Sequence, residues 1–342
     1  MKLSTIDLRS DTVTLPTTEM LECMFSAKVG DDVWGEDPTV KRLEESLAAM
    51  FSKDAALFCP SGTMTNQIAI RVHTNLGDEI ICDKLSHIYN YEGGGVASNS
   101  GASVRLIDGD LGRVSVKQIR DNMNPDDPHF AKTSLVSLEN TVNKGGGSCY
   151  EYSMLQEISS FCKGNNLNLH LDGARIFNAI VKQSFSSQDY GNLFDTISIC
   201  LSKGLGAPIG SVLVGSDSFI QSAIRVRKSF GGGMRQVGYL AAAGQYAIEN
   251  NIHRLSEDHK RANIIEVVLM QLSFIDNIRP VSTNIILFDV INTDVNKFVN
   301  YLLSCGIKAS SMGVKTIRFV THLDFTDDQL DCVISALKNY TK

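Results

Sequence analysis

Apolar and polar positions in this chain fall into two alternating periods from about residue 38 onward. Ahead of Pro38 the sequence is polar and turn-rich and reads as an arm without a long periodic element. Thr39 is then placed to cap a helix running to Met50. Short apolar, β-branched runs at 55–59, 79–82, 103–107, 134–138, 167–171, 196–201 and 211–214 read as strands. Helical periodicity occupies 63–74, 116–122, 152–162 and 217–227 between them. That alternation predicts an α/β fold with a mostly parallel sheet covered by helices on both faces. Two helices at 236–250 and 254–272 follow, and the pattern then changes to strand 284–290, helix 295–303, strand 315–320 and helix 327–337. The expected division is an N-terminal arm and large domain, 1–250, and a small C-terminal α+β domain, 251–342.

Two of the predicted strands end in chemistry. Leu167-Asn168-Leu169-His170-Leu171 alternates strictly, which places His170 and Asp172 on one face, and Asp172 opens Asp172-Gly173-Ala174-Arg175. The run 196–201 leads into Ser202-Lys203-Gly204-Leu205-Gly206, whose glycines break the strand. Ligands of open α/β sheets bind at the carboxyl ends of strands. An Asp and a Lys on two such ends suit pyridoxal phosphate, with the Lys forming a Schiff base and the Asp keeping the pyridine nitrogen protonated. The alternative is a solvated Lys in a Gly-rich turn beside an ordinary Asp-Gly turn.

Composition narrows the class. At 342 residues and 43% hydrophobic content the chain is long enough for one or two large cores, and its net charge of −6 gives no reason to expect nucleic acid. Eight scattered cysteines without a C-x-x-C pair suggest reduced thiols, not a disulfide frame or a zinc site. The first residues lack the apolar core of a secretion signal, and no run is long enough to span a bilayer, so a cytoplasmic location is expected.

Further candidates surround that pair. Pro60-Ser61-Gly62-Thr63 joins a strand to a helix, where free N–H groups and hydroxyls suit a phosphate, or simply cap the helix. The glycine spacing matches neither a P-loop nor a dinucleotide fingerprint. His87 follows the strand at 79–82 and suits either ring stacking with acid–base work or a partly buried structural role. His129 lies in a loop. Lys228 and Arg235 flank Gly231-Gly232-Gly233 and suggest an anion or a mobile surface loop. Arg318, among apolar neighbours in a strand, needs an anion: a substrate carboxylate or a structural ion pair.

Taken together, the stretches Asp7–Thr14, Val29–Asp32, Ser61–Thr63, Ser137–Thr141, Asp172–Phe177, Ser202–Gly206, Gly231–Gln236 and Val320–Asp324 resemble the threonine aldolases, pyridoxal-phosphate lyases of the aspartate-aminotransferase fold, type I. The resemblance implies cleavage of L-threonine, L-allo-threonine and related β-hydroxy amino acids to glycine and an aldehyde. It implies Lys203 as the cofactor lysine, Asp172 at the pyridinium nitrogen, and Gly62 and Thr63 on the phosphate. Arg175 would lie near the ring hydroxyl and, with Ser10 and Arg318, would hold the substrate carboxylate. His87 would stack on the cofactor and serve as base, and His129 would sit near the β-hydroxyl. Lys228 and Arg235 resemble residues that reach a neighbouring subunit's phosphate, so a homodimer sharing its sites, usually paired into a tetramer, is implied; no metal is called for. Trp34 and Val142 depart from the family's usual Tyr and His and bear on the site mouth. An aminotransferase or β-lyase on the same fold, or a cofactor-free binding protein, are the rival expectations.

Overall fold

A computed structural model describes residues 5–183 and 185–341. The large sheet has the order Ala55–Cys59, Ser211–Gly215, Thr196–Cys200, Asn168–Gly173, Thr133–Glu139, Glu79–Asp83, Ser103–Ile107. Only Ser211–Gly215 runs against its neighbours, and every other pair is parallel. All five residues of Thr196–Cys200 and of Ser211–Gly215 are buried, as a sheet covered on both faces requires. Helices Pro38–Met50, Gly62–His73, Tyr152–Gly164, Asp217–Ser229 and Gly238–Asn250 supply that cover.

A second core gathers around Phe288, Phe298 and Phe319. It is built on a four-stranded antiparallel sheet in the order Ser310–Ser311, Thr316–Val320, Ile285–Val290, Ile275–Asp276, backed by Leu255–Leu269 and Asp327–Asn339. The arm begins in this lobe. Ile6–Asp7 pairs in parallel with Ile307–Lys308, and Ile6 and Leu8 are buried in the second core. The arm then crosses to the large sheet, where Thr14 Oγ1 donates to the Lys203 carbonyl at 2.9 Å.

Three expectations need correction. The arm holds a helix, Thr18–Phe25, which buries only Met20 and therefore carries a weak periodic signal. The following helix is capped by Asp37, not Thr39: Asp37 accepts from the Thr39 and Val40 amides, with Pro38 in the first turn, while Thr39 Oγ1 donates to the Lys28 carbonyl. Helices Ile176–Gln183 and Ser187–Leu193 occupy a span to which the periodicity assigned none. Among the described residues no helix is long and apolar enough to cross a membrane. The signal-free N-terminus concerns a stretch whose first four residues lie outside those described.

Candidate active site

The carboxyl ends of the parallel strands converge on a buried carboxylate cluster. Asp172, at the end of Asn168–Gly173, pairs in register with Glu139 on one neighbouring strand and Ser198 on the other. Asn66 stands one turn inside Gly62–His73 and bridges two acids, its Nδ2 donating to Asp172 Oδ2 and to Glu92 Oε1, each at 2.9 Å. Glu92 also accepts from Gln67 Nε2 at 2.7 Å and holds His87 through Nδ1 at 2.9 Å. The His87 amide donates to Glu139 Oε2 at 2.8 Å, so its backbone and its ring are both fixed. Burial works against charge on His87, but Glu92, Asp172 and Glu139 outweigh it and hold its pKa above the ordinary imidazole range. Burial and then Asp172 push Glu139 up to about 7.

Lys203 lies just past Thr196–Cys200, and its Nζ donates to Cys200 Sγ at 3.0 Å. Burial opposes its charge; the Cys200 sulfur and Asp11 favour it, and the balance raises its pKa. Arg175 makes a buried two-pronged pair with Asp11, Nε to Oδ2 at 2.7 Å and Nη2 to Oδ1 at 2.6 Å. Against the cost of burial that guanidinium brings the Asp11 carboxyl down to about 2. Asn284 of the small lobe also donates to Asp11, so arm, large sheet and small lobe meet at one carboxylate.

Beside this cluster, Ser61 caps Gly62–His73 by accepting from the Met64 amide, so the Gly62 and Thr63 amides at the helix start are the ones left without an intrahelical acceptor. Gly62 is required by contact: a Cβ there would lie 2.6 Å from Cys200 Sγ. Arg318 reaches in from Thr316–Val320 of the small lobe. Its Nη1 donates to Asn143 Oδ1 and its Nη2 to the Arg9 carbonyl, while its Nε is buried without a partner. No carboxylate pairs with it among the described residues. Burial and the neighbouring Arg175 pull its pKa down, which marks a site short of negative charge. Ser10, beside Arg9, caps the turn Asp11–Val13 through its hydroxyl oxygen.

The structure brings Lys203, Asp172, Arg175, His87, Gly62, Thr63, Ser10 and Arg318 to this end of the sheet. It does not bring His129 there. That residue is exposed, pairs with Asp127 at 2.7 Å and precedes Thr133–Glu139 at the sheet's other end. Lys228 faces a cavity of about 680 Å³ shared with Trp34, Arg227 and Gly233, and Arg235 pairs with Asp31. Val142 is buried against Gly112 and so does not line a site mouth, contrary to expectation; Trp34 is exposed.

Asn66, Glu92, Glu139 and Cys200 were assigned no chemistry from the sequence. Asn66 had a usable signal, four residues after Gly62 and hence on the same helical face. Glu92 had none, since it precedes a Gly triplet that reads as a plain loop.

Residues 7–293 match the beta-eliminating lyase family. The low specificity L-threonine aldolase of Escherichia coli strain K12 is 42% identical over 326 residues, covering 95% of this chain and 96% of that protein. The low-specificity L-threonine aldolase 1 of Arabidopsis thaliana is 39% identical over 348 residues, covering 99% and 97%. The solved structure of Leishmania major threonine aldolase superimposes with a TM-score of 0.84 at 22% identity, covering 97% of this chain and 98% of that one.

Proposed function

The chain belongs to the beta-eliminating lyase family, alongside the low-specificity L-threonine aldolases, and from that premise we propose that it cleaves L-threonine and L-allo-threonine to glycine and acetaldehyde. It is a lyase of the pyridoxal-phosphate fold type I. The residues present fit that cofactor. Lys203 would hold it through Nζ, Asp172 would face the ring nitrogen, and the cradle at Gly62, which has no room for a Cβ, and Thr63 would take the phosphate. When bound, pyridoxal phosphate supplies an electron sink for the bond that breaks at Cα.

The chain's own groups select that bond. Arg318, with an unpartnered buried Nε, Arg175, whose Nη1 is free of Asp11, and Ser10 would clamp the substrate carboxylate. Holding the carboxylate orients Cα so that its bond to Cβ, not to hydrogen, is aligned for cleavage. His87, with Nδ1 engaged by Glu92, presents Nε2 to the β-hydroxyl and takes its proton as the aldehyde leaves. The observation that carries this reading is a guanidinium, Arg318 of the small lobe, with no carboxylate partner among the described residues, beside the strand ends that lead to Lys203 and Asp172. The test is acetaldehyde and glycine release from both threonines with cofactor supplied. Lys203→Ala is expected to abolish release and the visible absorbance of the bound cofactor; a variant with normal turnover overturns the assignment.

We also propose that the active unit is a homodimer, paired into a tetramer, with Lys228 and Arg235 reaching the neighbouring cradle and His129 approaching the neighbour's substrate. Support comes from the exposure of Trp34 and His129 outside their own chain's cluster. The division at residues 250/251 is supported by the two separate cores, with Ile6 and Leu8 of the arm contributing to the second. A cytoplasmic location is supported by eight free cysteines.

A further inference from the structure

The hydrogen bonds around Asp172 have a direction that the side chains themselves dictate. Asp172 and Glu92 only accept, so Asn66 must turn its Nδ2 hydrogens toward both, and its Oδ1 is left to accept. The partner of Oδ1 is His170 Nε2 at 3.1 Å, which must therefore carry the proton. Burial brings His170 down to about 3, so the ring is neutral and its Nδ1 accepts from Thr196 Oγ1 at 2.9 Å. Thr196, having spent its proton, accepts from His73 Nε2 at 2.9 Å. Burial also keeps His73 neutral, down to about 4. Every donor from His73 inward points toward the two carboxylates.

On the far side, Glu92 Oε1 receives His87 Nδ1, and Oε2 receives Gln67 Nε2. The His87 side chain is 36% exposed, and its Nε2 takes no partner among the described residues. The groups facing His87 are Glu92, Asp172 and Glu139, with the Tyr91 ring at 5.5 Å.

We propose that Asn66 and Glu92 act as one positioning unit, in which Asn66 shares its amide between Asp172 and Glu92, and Glu92 locks His87 with Nδ1–H inward and Nε2 outward. The partner of the ring nitrogen and the base at the β-hydroxyl are thereby coupled through a single amide, 2.9 Å from each acid. Neither residue touches substrate, and both act through their neighbours. The inference rests on the reading of His87 as the base and of Asp172 as the partner of the ring nitrogen.

The test uses holoenzyme labelled with [15N]histidine, read by imidazole NMR and by the pH dependence of L-threonine cleavage. In the native protein His87 is expected to keep its Nδ1–H form after losing its second proton. Glu92→Gln retains shape and removes the charge. It is expected to lower kcat about ten- to hundredfold with KM for L-threonine nearly unchanged. His87 then loses a neighbouring anion and its pKa falls. Because the base must be unprotonated to work, the acid limb of the kcat profile moves to lower pH. Glu92→Asp, which restores the charge, should return the acid limb toward its native position. Asn66→Ala cuts the link from the other side and should shift the pH titration of the bound cofactor's visible band. A fall in kcat with the His87 tautomer and the acid limb unmoved overturns the proposal and leaves Glu92 as packing. If the native protein releases no acetaldehyde from L-threonine, the reaction assignment fails, while the imidazole spectra still judge the coupling.

Discussion

Among the described residues no carboxylate forms an ion pair with Arg318, although Asp11 lies near enough to favour its charge. In the sequence it was an Arg among Ile317, Phe319 and Val320, and a substrate anion or an internal ion pair explained it equally well. Among the described residues its contacts are an amide oxygen and a carbonyl, and one nitrogen has no partner, which supports the first explanation over an ion pair within the chain. Such a group makes its strongest bonds to an incoming planar carboxylate, and a lysine cannot reproduce the fork. Arg318→Lys is expected to raise KM for L-threonine about ten- to hundredfold, the equivalent of one lost charge-assisted pair, with a smaller effect on kcat. Steady-state kinetics on both threonines checks this. Arg175 also has two nitrogens engaged, but its partner is the Asp11 carboxylate, so its charge is already matched and Nη1 remains for a ligand.

Elements set how closely these groups can approach. The start of Gly62–His73 lies against Thr196–Cys200 so tightly that Gly62 faces Cys200 Sγ, with Ser211 Oγ behind it. Gly62→Ala should displace the first turn and weaken pyridoxal-phosphate affinity about tenfold, in line with the cost of overpacking a closed contact. The double variant Gly62→Ala with Cys200→Ala should recover it by returning the lost space; cofactor titration followed by absorbance decides. At this scale the sequence was informative where one period ran long enough. The alternation at 167–171 placed His170 and Asp172 on one face, and Asn66 indeed contacts both. It misled where a cap competed with a neighbour of equal propensity, as with Asp37 and Thr39. It was silent where a short helix buries a single side chain, as in Thr18–Phe25.

Across the whole molecule, the site draws on parts far apart in the chain. Asp11, Asn66, Glu92, Asp172, Lys203 and Arg318 come from the arm, the large sheet and the small lobe. A site further shared between subunits has a direct test. Lys203→Ala and Lys228→Ala chains, each weak alone, should regain about one quarter of native turnover when co-expressed, because each hybrid dimer holds one intact site. No recovery would refute the shared site. By itself the sequence determined the α/β alternation, the strand ends carrying Asp172 and Lys203, and the helix start at Ser61–Thr63. All of these are local: they depend on side-chain period and on turn residues within a few positions. It carried the family resemblance for the same reason, since those stretches stand in order along the chain. Only the tertiary structure decided that Asp11 engages Arg175, that Arg318 has no carboxylate partner among the described residues, that Val142 faces the core, and that Asn66 joins Asp172 to Glu92. Those facts depend on which distant side chains burial brings into contact and on which hydrogen bonds remain once water is excluded, and no local pattern encodes either.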